Sequence, residues 1–296
     1  MASTVAGRRK LDFIEKDVPL NGFTTWNIGG PARYFCQPKS LTQLREAVNF
    51  AKELDIETIL MGNGSNLLIS DDGFNGLAIR LGAGFGDLEA TGDTIKASAG
   101  TPLYKLADTA NKAGSCCFNF LTGIPGTVGG GLVMNAGAFG SEISDYLTEL
   151  TYLGPEGELH DVTTKEVGFN YRSSPFQDCS DKILLEATFK LDRGADQPDM
   201  SEILELRREK FPYSKPSAGS VFKNPTDTDM TAGELLDKVG AKGFSVGDAA
   251  VSHQHANFIL NKGHATAKNI RKAIDILRNR VYKEFGVTLV TEIVVI

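Results

Sequence analysis

Long apolar runs are missing from this 296-residue chain, and no stretch approaches the roughly 20 residues that a bilayer span requires, so no membrane segment is expected. A basic excess is missing as well. With 31 Lys and Arg against 37 Asp and Glu the net charge is −6, the reverse of the basic face that marks nucleic-acid binders. Four cysteines, Cys36, Cys116, Cys117 and Cys179, make no CxxC pair, which removes the usual thiolate metal and redox motifs. The opening "MASTVAGRRK" is followed by "LDFIEKDVPL", where charge interrupts any apolar h-region, so no secretory leader is read. A cytoplasmic setting with reduced, buried thiols is the expectation. His253 and His255 in "SHQHAN" have a spacing that can bind metal on a strand, but no cluster of Cys or carboxylate nearby completes a set, so no metal is expected.

Glycine, by contrast, is locally dense. "GIPGTVGGGLVMNAGAFG", residues 123–140, puts seven glycines into eighteen positions, so something must lie against this backbone. Nothing reads GxxxxGK[ST], and Gly126, Gly129 and Gly130 do not give G-x-G-x-x-G. Two readings stay open on this stretch: backbone approaching a dinucleotide, or a core turn where two layers pack tightly. A second glycine-rich turn, Gly62 to Asn66, runs into apolar Leu67, Leu68 and Ile69 and then the loop signal "DDGFNG". A Rossmann turn would open into a long helix instead. A phosphate at this turn would rest on converging N–H groups and on Asn and Ser side chains.

The hydrophobic and charged fractions, 41% and 23%, are those of an ordinary globular protein, and the length calls for two or three domains. Residues 33–61 read strand, helix, strand, with Ser40 and Gln43 as a capping box and Leu44, Val48 and Ala51 on one face. "TPLYKLADTANKAGS" reads as a helix capped by Thr101, with Pro102 at its first position and a stop at Gly114. "LTELTYLGPEGELHDVT" reads as a hairpin turning at Pro155 to Gly157. Helices are expected over 201–212, over 231–240 with a Thr231/Glu234 capping box, and over 266–286, before a terminal strand "VTLVTEIVVI". The polar "RGADQPDM" marks a boundary near 193–200. The units are then 1–84, 85–193 and 200–296, with the terminal strand that carries Glu292 free to pack back on the earlier units. No heptad or exposed apolar stretch demands a second copy, which points to a monomer.

Three short segments put polar groups where a packing role has little use for them: Tyr171 and Arg172 in "NYRSSPF", Ser220 with Lys223 and Asn224 in "SAGSVFKNP", and Glu292 within the terminal apolar run. Each also has a plain alternative, as a loop arginine, a turn serine and a solvent-facing residue of an edge strand. Ser220 lacks the second glycine of G-x-S-x-G, so it is not a hydrolase nucleophile by motif.

Together with "TTWNIGGPARYF", "GNGSNLLISD", "GIPGTVGGGLVMNAGAFG", "HANFILN" and "TEIVV", these segments resemble, in this order, the UDP-N-acetylenolpyruvoylglucosamine reductase family. The likeness runs from about residue 20 to the last residue. It implies an α+β architecture: a two-subdomain FAD-binding fold of the vanillyl-alcohol-oxidase (PCMH) type, plus a C-terminal α/β substrate domain. It implies non-covalent FAD, NADPH as co-substrate and a UDP-sugar nucleotide as substrate. By the same resemblance the cofactor would be lined by Gly62, Asn63, Gly64, Ser65, Asn66 and Leu67, by Gly123, Ile124, Pro125, Gly126, Thr127, Gly129 and Gly130, and by Asn135, Ala136 and Gly137. Arg172 and Glu292 would stabilise charge on an enolate, with Ser220 as general acid helped by Lys223 or Arg172. Tyr171, Lys223, Asn224, His255 and Asn257 would contact substrate.

The chain departs from part of the family: "RGADQPDM" leads directly into a helix, with no segment carrying a lid tyrosine, so it resembles the shorter, type II form. The competing readings are another FAD oxidoreductase of the same fold, acting on an alcohol or lactone, and a non-catalytic flavin-fold protein. The first often tethers flavin through His or Cys, which neither glycine turn contains, although Cys116 and Cys117 lie just upstream. The second gives no reason for Arg172, Ser220 and Glu292.

Overall fold

The computed structural model describes residues 11–177 and 181–296; Cys179 lies outside them. The first unit begins with β1 (Ile14–Pro19) and β2 (Pro31–Cys36), followed by α1 (Leu41–Leu54), β3 (Thr58–Met61), β4 (Leu67–Leu68) and β5 (Phe74–Arg80). The sheet order is β1-β2-β5-β3; β1 is antiparallel to β2, while β2 and β3 both run parallel to β5. Leu44, Ala47 and Ala51 bury one face of α1, and partly buried Val48 packs on the same cluster. Ser40 Oγ accepts from Gln43 N, but the Gln43 side chain reaches Lys39 N, one residue upstream of the expected reciprocal bond.

The second unit contains β6 (Leu88–Thr91), β7 (Thr94–Ser98), α2 (Leu103–Lys112), α3 (Val128–Val133), β8 (Gly137–Ala138), β9 (Ser141–Glu142), β10 (Leu147–Leu153), β11 (Leu159–Thr163), α4 (Thr164–Val167) and β12 (Ile183–Lys190). Its five-stranded sheet, β11-β10-β12-β7-β6, is antiparallel throughout. The hairpin at 154–157 closes as expected, Gly157 N donating to Gly154 O at 3.0 Å. α2 starts one residue later than the sequence suggests, because Thr101 Oγ1 donates to Asp87 O, leaving extended Pro102 as the cap. α2 buries Leu103, Leu106, Ala107 and Ala110, and Phe118 packs edge-on against Phe189 and Tyr146.

The third unit holds α5 (Met200–Lys210), α6 (Ala232–Lys238), β13 (Ser245–Val246), β14 (Ala249–Val251), β15 (Ile259–Asn261), α7 (Ala267–Phe285) and β16 (Val294–Val295). Residues 191–199 alone join β12 to α5. The Thr231/Glu234 capping box forms, and α7 stops at Gly286 with φ +70°. Ile270, Ala273, Ile274, Leu277 and Val281 pack into a core that also takes in Trp26, Ile28 and Leu68. Trp26 Nε1 donates to Ile259 O at 2.7 Å, and Asn261 Nδ2 returns a bond to Trp26 O at 2.9 Å. The expected terminal strand is a strand only at Val294–Val295, which runs parallel to β4. Before it the chain pairs with the Ser220 loop, through a Phe222–Thr291 bridge and Glu292 N to Val221 O at 2.8 Å. Glu292 therefore sits between two pairings, not inside a regular strand.

Candidate active site

A cavity of about 1050 Å³ opens where the three units meet. Pockets for small molecules run from about 300 to 1,000 Å³, so this one admits a dinucleotide-sized group. Both glycine turns border it, with the segment after α5, Ser220 and the tail at Glu292. Of the sixteen residues expected to line a cofactor, all but Asn135 are on its wall. Asn135 is fully buried. Its amide donates to Glu142 Oε2 at 2.6 Å and Asn170 O at 3.1 Å, a brace and not a lining group.

The glycines divide between the two readings that the sequence leaves open. A Cβ on Gly62 would collide with the Thr127 side chain, and one on Gly129 would come within 2.9 Å of Ala99 Cβ, so these two glycines let the protein pack on itself. A Cβ on Gly126 would meet only Leu103 Cδ1 at 3.3 Å and Ser65 Oγ at 3.6 Å, and would occupy space between the turns. Beside it, the N–H groups of Asn63, Gly64 and Ser65 find no acceptor among the described residues. Free donors on successive residues suit an anion such as a phosphate.

Arg172 occupies a tight turn closed by Asn170 N to Ser173 O and Ser173 N to Asn170 O, each 3.0 Å. Its φ of +51° is unusual for a side-chain-bearing residue, and holding it there costs about 1–3 kcal/mol. The guanidinium is fixed from several sides: Nη2 donates to Gly137 O at 2.6 Å, Nη1 is 4.0 Å from Glu142 Oε1, and Nε is 3.2 Å from Glu292 Oε1. Gly137 must be a glycine here, since a Cβ would come within 3.1 Å of Arg172 Nη1 and closer still to Ser141 O. Side-chain exposure is 18% for Arg172 and 22% for Glu292, so the pair is largely shielded. Burial pushes the Glu292 carboxyl above its ordinary range, against the opposing pull of Arg172 and then Lys223.

Ser220 reaches the cavity just after Gly219, and its hydroxyl has no hydrogen bond among the described residues. Neither expected helper touches it: Lys223 Nζ donates to Arg172 O at 3.1 Å, and Arg172 is engaged with Glu292. Tyr171 stacks on the Arg172 guanidinium, 5.1 Å from ring centre to Cζ, outside the cavity wall. Asn224, His255 and Asn257, expected at substrate, are not among the residues of the cavity wall. Asn224 Oδ1 accepts from Ala232 N, and Asn257 brackets Phe222 through both its N–H and its carbonyl. The His255 ring lies 5.1 Å from those of Phe211 and Phe258, and its burial lowers its pKa. Asn257 braces the Ser220 loop, whereas Asn224 is exposed.

Arg207 and Tyr213 line the cavity and were not singled out in the sequence. Tyr213 Oη donates to Gly123 O at 3.0 Å, and Arg207 Nη2 to Phe120 O at 3.2 Å. Arg207 Nε is buried with no partner among the described residues, a donor that a bound group could take up. Both sit in the charged "LRREKFPYS", where a helical arginine has no distinguishing signal.

Residues 211–296 match the family described as "UDP-N-acetylenolpyruvoylglucosamine reductase, C-terminal domain", and residues 32–163 match "FAD binding domain". A UDP-N-acetylenolpyruvoylglucosamine reductase from Halalkalibacterium halodurans is 40% identical over 274 residues, 91% of this chain and 90% of the relative. The Bacillus subtilis protein of that name is 35% identical over 291 residues, covering 97% and 95%. A crystal structure of UDP-N-acetylenolpyruvylglucosamine reductase (MurB) from Thermus caldophilus superposes with TM-score 0.79 at 33% identity, covering 95% of this chain and 98% of that one.

Proposed function

This chain belongs to the UDP-N-acetylenolpyruvoylglucosamine reductase family, and from that premise we propose how its residues carry out the reaction. The reaction is NADPH-dependent reduction of UDP-N-acetylglucosamine enolpyruvate to UDP-N-acetylmuramate through FAD, in peptidoglycan precursor synthesis. The residues present fit FAD: free N–H groups on the first turn, open space at Gly126 and the unpartnered Arg207 Nε all face one cavity of suitable size. Gly62 to Leu67 and Gly123 to Gly130 would hold it, with Ala136 and Gly137 alongside. No histidine or cysteine is among the described residues of the wall, which supports non-covalent binding. Bound FAD supplies the hydride relay from NADPH to the vinyl group of the substrate.

The chain supplies charge and a proton. As the vinyl group is reduced, negative charge builds toward the substrate carboxylate, and groups that bind this charge more tightly in the transition state lower the barrier. Arg172 provides the cation. Glu292, whose burial favours its protonated form, stands beside it as a hydrogen-bonding acid. Ser220 then gives its Oγ proton to the carbon adjacent to the site of hydride addition, and its alkoxide recovers a proton from solvent. Tyr171 and Lys223 bind substrate at the margin, or hold Arg172 for it. No segment inserted between β12 and α5 closes the site, so closure falls to the existing walls, with Tyr213 at the second turn. The chain acts as a monomer in the cytoplasm; no helix among the described residues is long and apolar enough to cross a membrane.

The observation that carries this reading is that Arg172, Ser220 and Glu292, from three distant segments, meet on the wall of the cavity bordered by both glycine turns. The test is an anaerobic titration. Yellow protein should bleach with NADPH and recolour with the enolpyruvyl sugar nucleotide. Recolouring by an alcohol or lactone product instead, or colourless protein, would overturn it.

A further inference from the structure

The first glycine turn and Glu292 are joined by a side-chain bond. Asn66 Nδ2 donates to the main-chain carbonyl of Glu292 at 3.0 Å, and the carbonyl of Asn66 accepts from Val294 N at 2.9 Å. These two bonds bracket residues 292–294. On the other side, Glu292 N donates to Val221 O at 2.8 Å, one residue beyond Ser220. The peptide groups flanking Glu292 are thus fixed from two directions, by the Ser220 loop and by the Asn66 amide. Beyond Val294 the tail is held by β-pairing, Ile296 N to Leu68 O at 2.9 Å and Ser70 N to Ile296 O at 2.8 Å, and by packing of Ile296 on the core of the first unit.

We propose that Asn66 is a positioning residue: its side chain sets the direction of Glu292 through the main chain, and so couples the cofactor turn to the group that acts on substrate. The inference rests on the role given above to Glu292. Its physical basis is that Glu292 lies outside regular structure, so its carboxyl direction depends on the peptide plane that Asn66 grips. A displacement of about 1 Å in a reacting group can cost on the order of 100-fold in rate. Asn66 has the chemistry for the task, because an amide offers a donor to Glu292 O while its own main chain stays in the turn.

The test uses the FAD-loaded enzyme with Asn66→Ala and Asn66→Ser, measuring FAD affinity, flavin reduction by NADPH and flavin reoxidation by substrate. Reoxidation should fall at least about tenfold further than reduction does, on the scale that misplaced groups cost. The pH profile of reoxidation should move toward acid, because a carboxyl released toward water loses the burial that raises it. In an Asn66→Ala, Glu292→Gln double variant the losses should not multiply, since both act through one group. Equal losses in both half-reactions with weaker FAD binding would overturn the proposal and assign the amide to the cofactor. Multiplying losses, unchanged reoxidation or failure of both variants to fold would overturn it too. If Glu292→Gln alone reoxidises normally, the role of Glu292 fails first, a result distinct from an Asn66 variant that leaves a Glu292-dependent step intact.

Discussion

Arg172 Nε lies 3.2 Å from Glu292 Oε1, yet the carboxyl of this pair is raised above its ordinary range, not lowered. Burial outweighs attraction. Two charges taken from water recover their solvation only with excellent geometry and full hydrogen bonding, and Arg172 divides its donors among Gly137 O, Asn135 O and two carboxylates. The pair therefore combines a fixed cation with an acid that gives up its proton reluctantly, a combination suited to a developing enolate.

That shift has a sign that can be measured. A carboxyl raised in the folded state contributes stability that is present below its unfolded pKa and lost as pH rises through the folded value. Glu292→Gln removes the loss. The variant should melt at or above wild type at pH 8, with the difference shrinking as pH falls toward 4; a gap that widens toward acid would contradict the shift. In kinetics, Glu292→Gln should leave reduction by NADPH largely intact and slow reoxidation by substrate. A defect mainly in the first half-reaction would remove Glu292 from the substrate step.

The two kinds of glycine separate in the same way. Gly126→Val should give folded apoprotein, because its Cβ would meet only the side-chain ends of Leu103 and Ser65, on the cavity wall. Gly129→Val should instead cost stability, since its Cβ would press on Ala99, and overpacking typically costs about 1–3 kcal/mol. Melting temperature and flavin absorbance together check this. Full flavin content in Gly126→Val would show that the cofactor does not approach that backbone.

Asp71 ties the first unit to the third. Its carboxylate accepts from Ala267 N at 2.7 Å and Lys268 N at 3.0 Å, capping α7 from nearly two hundred residues away. Asp71→Ala should cost about 0.5–2 kcal/mol, the usual value of an N-cap. Denaturant melts check the loss, and no change would mean that Thr266 alone caps the helix.

Much of this was legible in the sequence, for local reasons. α1, α6 and α7 carry their caps and apolar faces within a few residues, so their bounds could be read directly. The two glycine turns were legible as sites, but not which glycine serves packing and which serves space, because Gly62 meets Thr127 and Gly129 meets Ala99 only once the fold is made. For the same reason the sequence does not show that Asn135 and Asn257 are buried and hydrogen-bonded to Glu142, Asn170 and Phe222. A polar side chain in a motif has one appearance whether it binds a ligand or braces a loop. The β-branched and apolar residues around Glu292 read as a strand, whereas its main-chain partners are Val221 and Asn66, far away in sequence.

Ser220 offers the sharpest separation, because hydride and proton reach different carbons at different stages. Its hydroxyl has no protein hydrogen-bond partner among the described residues, so it is free to address substrate. Ser220→Ala should therefore fold, bind FAD and be reduced by NADPH. Only reoxidation should suffer, by roughly two to four orders of magnitude, the range for a lost general acid. Ser220→Cys keeps a donor of lower pKa in about the same place and should recover part of the loss. Because Lys223 Nζ is committed to Arg172 O, Lys223→Met should act by loosening the Arg172 turn, slowing reoxidation while leaving the Ser220→Cys rescue in place. Reoxidation of Ser220→Ala within about threefold of wild type, far below the general-acid range, would mean that water or another side chain delivers the proton and that Ser220 only shapes the turn.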